Sequence, residues 1–175
     1  AYIGLESAYA QIEGNGQENM ALCCDFLARR LSLHRDIRRH CTPEERRASL
    51  LRHHNAAWLN IWNAADAYIH ALLDETDRIP PVFADHQLSA IHFLAPGKPM
   101  MDLIENQVYL AQGAYATVIG RSEGQLAVCG AMHYALVALH ISIQTAAAYE
   151  MLGKHEQARS LLTQALADGE PDGFV

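Results

Sequence analysis

From end to end, the apolar positions of this chain recur every three or four residues, the period of a helix that buries one face. No stretch shows the β-branched and aromatic alternation of a half-buried strand. The pattern predicts an all-α protein. A first short helix is expected over 3–13, ended by Gly14 and Gly16, and a second over 17–40 with Met20, Cys23, Cys24, Leu27, Leu31 and Ile37 on its apolar side. Thr42, Pro43, Glu44 and Glu45 then write a capping box, with proline at the first helical position where its missing N–H costs nothing. The third helix carries Leu50, Leu51, Ala57, Trp58, Ile61 and Trp62; Asn63 with Asp66 predicts a further cap and a fourth helix to about Glu75.

Residues 76–99 are the irregular connection, broken by Pro80, Pro81, Pro96, Gly97 and Pro99, with room for a short helix over Gln87–Leu94. Four more helices are expected at about 100–112, 115–129, 132–152 and 155–168. They make two hairpins that overlay with a shift of 40 residues. In the last, Ala146, Tyr149, Gly153, His155, Ala158, Leu162 and Ala165 are spaced A-x2-Y-x3-G-x-H-x2-A-x3-L-x2-A. Asn106, Tyr109, Gly113, Tyr115, Val118, Ser122 and Gln125 hold the same offsets one repeat earlier. Small residues let the two helices of a hairpin approach closely, and a glycine permits the left-handed turn between them.

This spacing resembles the tetratricopeptide motif. It implies antiparallel helix hairpins stacked in a right-handed tetratricopeptide-like solenoid, with 1–175 as a single helical-repeat domain whose clearest repeats are 100–130 and 132–168. The tail AAAYEMLGKHEQARSLLTQALADGEPDGFV, with its Pro171, Gly173, Phe174 turn, looks like the helical-repeat domain of the large LuxR-type, MalT-like transcriptional regulators; MDLIENQVYLAQGAYATVIGRSEGQLAV looks like the repeat before it. Over 43–75, Trp58, Ala67 and Ala71 fit the offsets, but Trp62 stands where glycine belongs. The resemblance implies a three-part protein: an ATPase module, the repeats, and a C-terminal helix-turn-helix that binds DNA. Neither module is written here. Gly97-Lys98 is followed by Pro99 and Gly153-Lys154 by His155, so no Walker A exists. The chain is therefore expected to be a fragment, with ATP and DNA bound elsewhere.

The resemblance places ligand binding on the concave face, lined by the first helix of each hairpin. The candidates are Met100, Leu103, Gln107 and Leu110 in one repeat and His140, Ile143, Ala147 and Glu150 in the next. Such a mixed groove suits a small organic inducer or a regulatory protein. The bland alternative is that these residues pack on a neighbouring hairpin or face water. Trp58 and Trp62, near His54, form either a recognition platform or a core.

Composition narrows the function further. The formal net charge is −7, which disfavours nucleic acid or an anionic membrane as the partner of the whole chain. Even so, Arg29, Arg30, Arg35, Arg38, Arg39, Arg46, Arg47 and Arg52 fall within 24 residues. Arg35, Arg38, Arg39, Arg46 and Arg47 are the candidate interdomain face, with a solvated helix face as the alternative. Cys23, Cys24, Cys41 and Cys129 form no CxxC pair and read as free thiols of a reducing cytoplasm. No signal peptide and no run of about 18 apolar residues is present, so no membrane partner is expected. The histidine spacings give no HExxH-type pair, GxSxG is missing, and the carboxylates are scattered. No catalytic residue, metal or cofactor is expected in the fragment. The alternative function is a passive tetratricopeptide scaffold for protein–protein interaction. Gly120 and Gly124, inside a predicted helix, imply close packing against the neighbouring hairpin.

Overall fold

The structure, a computed structural model, describes residues 2–12, 17–32, 41–52, 56–91, 97–171 and 173. Among these, nine α-helices and two 3-10 turns appear, and no strand. The helices are α1 (Tyr2–Ile12), α2 (Glu18–Ser32), α3 (Pro43–Arg52), α4 (Ala56–Leu72), α5 (Pro81–Ala84), α6 (Lys98–Ala111), α7 (Tyr115–Met132), α8 (Ala135–Met151) and α9 (His155–Gly169). Contacts group the chain into two compact units, 1–69 and 70–175.

In the first unit the capping box forms as expected. The Thr42 amide donates to Glu45 Oε2 at 2.7 Å, and the Glu45 amide donates to Thr42 Oγ1 at 3.2 Å. The cap expected at Asn63 does not form. Asp66 lies inside α4 and accepts from Arg29 Nη2 at 2.6 Å, so its carboxylate is engaged across helices. One uninterrupted helix results, because Trp62, Ala64, Ala67 and Ile69 all find cover. Leu22, Leu50 and Trp62 make a small core; Phe26 stacks on Trp62 with centroids 5.4 Å apart. The tryptophan pair is thus core at Trp62 and partly buried packing at Trp58, while His54 lies outside the described residues. The part of the second predicted helix beyond Ser32 also lies outside them.

In the second unit the irregular connection folds into 3-10 turns at Thr76–Arg78 and Leu88–Ala90 around the short α5, pinned by fully buried Phe83. The four helices that follow repeat one turn. The Ala114 amide donates to the Tyr109 carbonyl at 2.8 Å, and the Gly113 amide to Leu110 at 3.1 Å. Forty residues on, Lys154 donates to Tyr149 at 2.9 Å and Gly153 to Glu150 at 2.9 Å. Both are Schellman turns, with φ of 75° at Gly113 and 71° at Gly153. Midway between them Tyr134 donates to Cys129 at 2.9 Å and His133 to Gly130 at 3.3 Å, with His133 at φ 57°. Gly173, at φ 69°, donates to Glu170 at 3.0 Å. The left-handed position therefore returns at 113, 133, 153 and 173, one helix and one turn at each step. Because histidine holds it at 133, no glycine marked this helix end, and α7 runs three residues beyond the expected 129.

The interface positions repeat as well. Asn106 and Gln125, both buried, exchange two carboxamide hydrogen bonds across α6 and α7, of 2.7 and 3.2 Å. Their counterparts across α8 and α9 are the buried alanines Ala146 and Ala165. Val118 and Ala158 are likewise both buried. The close packing expected at Gly120 and Gly124 is absent: a β-carbon at either would meet nothing within 4 Å.

Candidate functional site

Helix α8 is the centre of the second unit. Its sequence ALVALHISIQTAAAYEM is apolar nearly all round, which suits a helix covered on several sides. It packs against α6, α7 and α9. Gln144 fixes it on α6: Nε2 donates to the Leu103 carbonyl at 3.0 Å and to Gln107 Oε1 at 3.2 Å. What remains open on α8 is the edge carrying His140, Ala147 and Glu150.

The eight concave-face candidates are not brought together at one site. Ile143, Ala147 and Glu150 line one open hollow of about 520 Å³ with Ala146 of α8 and His155, Ala158, Arg159 and Leu162 of α9. His140 is exposed on the same helix but does not line it. On α6, Leu103 is buried and Gln107 half-buried, and Gln144 of α8 reaches both. Leu110 is half-buried and Met100 exposed, and neither lines the hollow. Leu103 and Gln107 thus meet the next hairpin, the packing alternative open to these residues.

The hollow is apolar at its centre and charged at its rim. Glu150 Oε1 lies 2.9 Å from His155 Nδ1, tying the ends of the two helices across the turn. Lys154 lies over the Tyr149 ring at 5.7 Å and stiffens the same turn. Nothing in this arrangement joins a nucleophile to a base.

Sequence reasoning missed a polar cluster at α5, α6 and α7. Asp102 and Glu105 are buried, and Arg121 binds both, at 3.4 Å to Asp102 and in a very short contact with Glu105. Lys98 adds a bond of 2.5 Å to Asp102. His86, in left-handed backbone at φ 55°, stacks on Tyr109 with centroids 3.7 Å apart, and its Nε2 lies 2.7 Å from Gln112 Oε1. Gln112 Nε2 in turn donates to the Ala84 carbonyl at 3.0 Å. Burial, then the nearby Glu105 carboxylate, pushes the Tyr109 phenol up, against the opposing pull of Arg121. Both carboxylates are compensated by cations, so the cluster braces three helices and offers no free acid–base pair. The i, i+3 spacing of Asp102 and Glu105 was its one legible trace.

The first unit holds a similar brace. Buried Asp25 accepts from the Tyr9 hydroxyl at 2.6 Å, from Arg46 Nε at 2.5 Å and from the Cys41 thiol at 3.6 Å. Burial and then Asp25 push the Cys24 and Cys41 thiols up. Arg46, one of the candidates for an interdomain face, is thus engaged by Asp25 within its own unit. Arg47 is exposed; Arg35, Arg38 and Arg39 lie outside the described residues. Among the described residues no cluster of three histidine, cysteine or carboxylate side chains could hold a metal. Among them also, no helix is long and apolar enough to cross a membrane. Comparison with known proteins finds no family model, no curated relative and no solved structure that matches the chain.

Proposed function

We propose that this chain is the sensing domain of a LuxR-type, MalT-like transcriptional regulator, with α6–α9 as two tandem tetratricopeptide-like hairpins of a right-handed solenoid. The observation that carries the reading is the left-handed turn returning at 113, 133, 153 and 173 with the same backbone bonding at each of the first three. A unit that repeats its turns and its helix contacts leaves one edge of every hairpin for a ligand. Here that edge is on α8, where His140 and Glu150 supply polar handles beside Ile143 and Ala147. Its chemistry suits a small organic inducer or a regulatory protein, and involves no catalysis and no resident cofactor. ATP hydrolysis and DNA binding belong, on this reading, to other segments of a longer cytoplasmic chain.

Sensing requires that the ligand prefer one of two states of the repeats. Replacing the exposed pair His140 and Glu150 together by alanine in the full-length regulator is expected to abolish its transcriptional response and leave the helical circular-dichroism signal in place. An unchanged response rejects the surface. A passive scaffold is distinguished by its gene, which would carry neither an upstream Walker A nor a downstream helix-turn-helix.

A further inference from the structure

The contacts of the His86 ring fix where its protons must be. Gln112, which closes α6, donates from Nε2 to the Ala84 carbonyl at 3.0 Å; a carbonyl only accepts, so the amide cannot turn round. Gln112 Oε1 is thereby the atom that faces His86 Nε2, at 2.7 Å, and that nitrogen has to carry a hydrogen. The other nitrogen, Nδ1, is closed to solvent, and among the described residues no hydrogen bond reaches it. It faces Glu105 Oε1 at 3.6 Å, while Arg121 takes Glu105 Oε2. A neutral imidazole with its hydrogen on Nε2 therefore turns a lone pair toward a carboxylate. The other neutral tautomer turns one toward Gln112 Oε1. Only the imidazolium has a donor for both acceptors. A shift of about 0.5 Å then brings Nδ1–H within hydrogen-bond range of Glu105.

The charged groups around the ring come from both helices of the first hairpin. Glu105 and the stacked Tyr109 face it from α6; Arg121 of α7 holds Glu105 and sets its guanidinium 5.0 Å from the Tyr109 centroid. Asp102 of α6 shares Arg121 and binds Lys98, and Asp85, next to His86, is exposed. The hairpin does not need these charges to fold. Forty residues on, Asp102, Glu105 and Arg121 become Ser142, Thr145 and Leu161 around the same turn. His86 itself ends the turn that follows α5, its amide donating to the Phe83 carbonyl at 3.2 Å. Its ring and the Ala84 carbonyl are the polar links from that turn to α6. We infer that His86 is a proton-operated clamp: as the imidazolium it bridges Gln112 and Glu105 and closes the 81–87 turn onto α6, and loss of the Nδ1 proton loosens that turn. The clamp is shut on the acid side and opens as the pH rises through the range in which histidines titrate. Fully buried Phe83 keeps the segment attached, so the response is a local opening that uncovers Tyr109 and Glu105.

The test follows hydrogen exchange, in the whole chain, at the amides of Asp85 and Gln87, which donate to the Pro81 and Val82 carbonyls. Corrected for the intrinsic pH dependence of exchange, their protection should fall about ten-fold between about pH 6 and about pH 8, in step with the His86 ring signals. In nitrogen-15 spectra of the imidazole, the proton should leave Nδ1 while Nε2 keeps its own. His86→Phe retains a flat ring for Tyr109 and carries no proton, so its protection should stay constant over that range. Glu105→Gln should flatten the response as well, because a carboxamide can donate to the neutral Nδ1. Protection in the parent that ignores pH, or a fall that persists in His86→Phe, overturns the clamp. Should His86→Phe fail to hold the turn at all, the parent's ring signals decide: a proton lost from Nε2, or no change at the two amides as the ring titrates, overturns it. A full response in Glu105→Gln overturns Glu105 as the partner of the proton.

Discussion

Replacing His133 by glycine should stabilise the second unit. His133 ends α7 at φ 57° and ψ 39°, in the left-handed region where a β-carbon crowds the following carbonyl. A non-glycine residue there costs about 1–2 kcal/mol. Glycine returns about 0.5–1 kcal/mol of that through the greater freedom of the unfolded chain. The net expectation is a gain of about 0.5–1 kcal/mol, or roughly 2–8 °C in Tm for a unit of this size. Its repeat neighbours support the direction, since Gly113 and Gly153 hold the same backbone at φ 75° and 71°. The assay is urea unfolding followed by circular dichroism, where the midpoint should rise at unchanged slope. Gly153→Ala is the reciprocal control. A β-carbon there meets no atom within 4 Å, so any loss, expected at about 1 kcal/mol, reports backbone strain rather than crowding. A His133→Gly variant no more stable than the parent, or a Gly153→Ala variant as stable, would refute the assignment of one shared turn.

The other expectations concern the helices themselves. Gly120→Ala and Gly124→Ala should each raise stability by about 1 kcal/mol in the same assay, because both sit exposed in α7 with open space around them; a loss at either would reveal a close neighbour. Asn106→Ala should cost about 1–3 kcal/mol by stranding buried Gln125, and the added change Gln125→Ala should recover part of it, since Ala146 and Ala165 fill the same two places one repeat later; simple addition of the two losses would contradict the pairing. Cys23 should react first with a thiol reagent in the native protein, followed by half-buried Cys41. Cys24 and Cys129 should react last, being buried with thiols pushed up, Cys129 by burial and then Asp102; mass spectrometry of the labelled peptides reads the order, and early labelling of Cys129 would contradict its burial.

Much of the helical plan was legible along the chain because its signals are local. The three-to-four-residue period, the Thr42–Glu45 box and the glycines at 113 and 153 act within a few residues of themselves, and each appears where the pattern put it. The tyrosine–glycine offsets forty residues apart also survived, since both members of each turn are close in sequence. The end of α7 was misjudged for the complementary reason: His133 takes a glycine's conformation without a glycine's signature.

What the tertiary structure alone decided is which side of each helix meets which neighbour. Asp66 looks like a cap until Arg29 claims it from another helix, and Leu103 and Gln107 look like a groove until Gln144 reaches them. The balance of Asp102 and Glu105 by Arg121 joins residues on two helices, and the hollow is likewise lined by residues of both α8 and α9. A helix as uniformly apolar as α8 carries no instruction in its own sequence about which side stays open. Periodicity fixes the element from within, whereas burial is a property of pairs, and those pairs form only when distant segments of the chain come together.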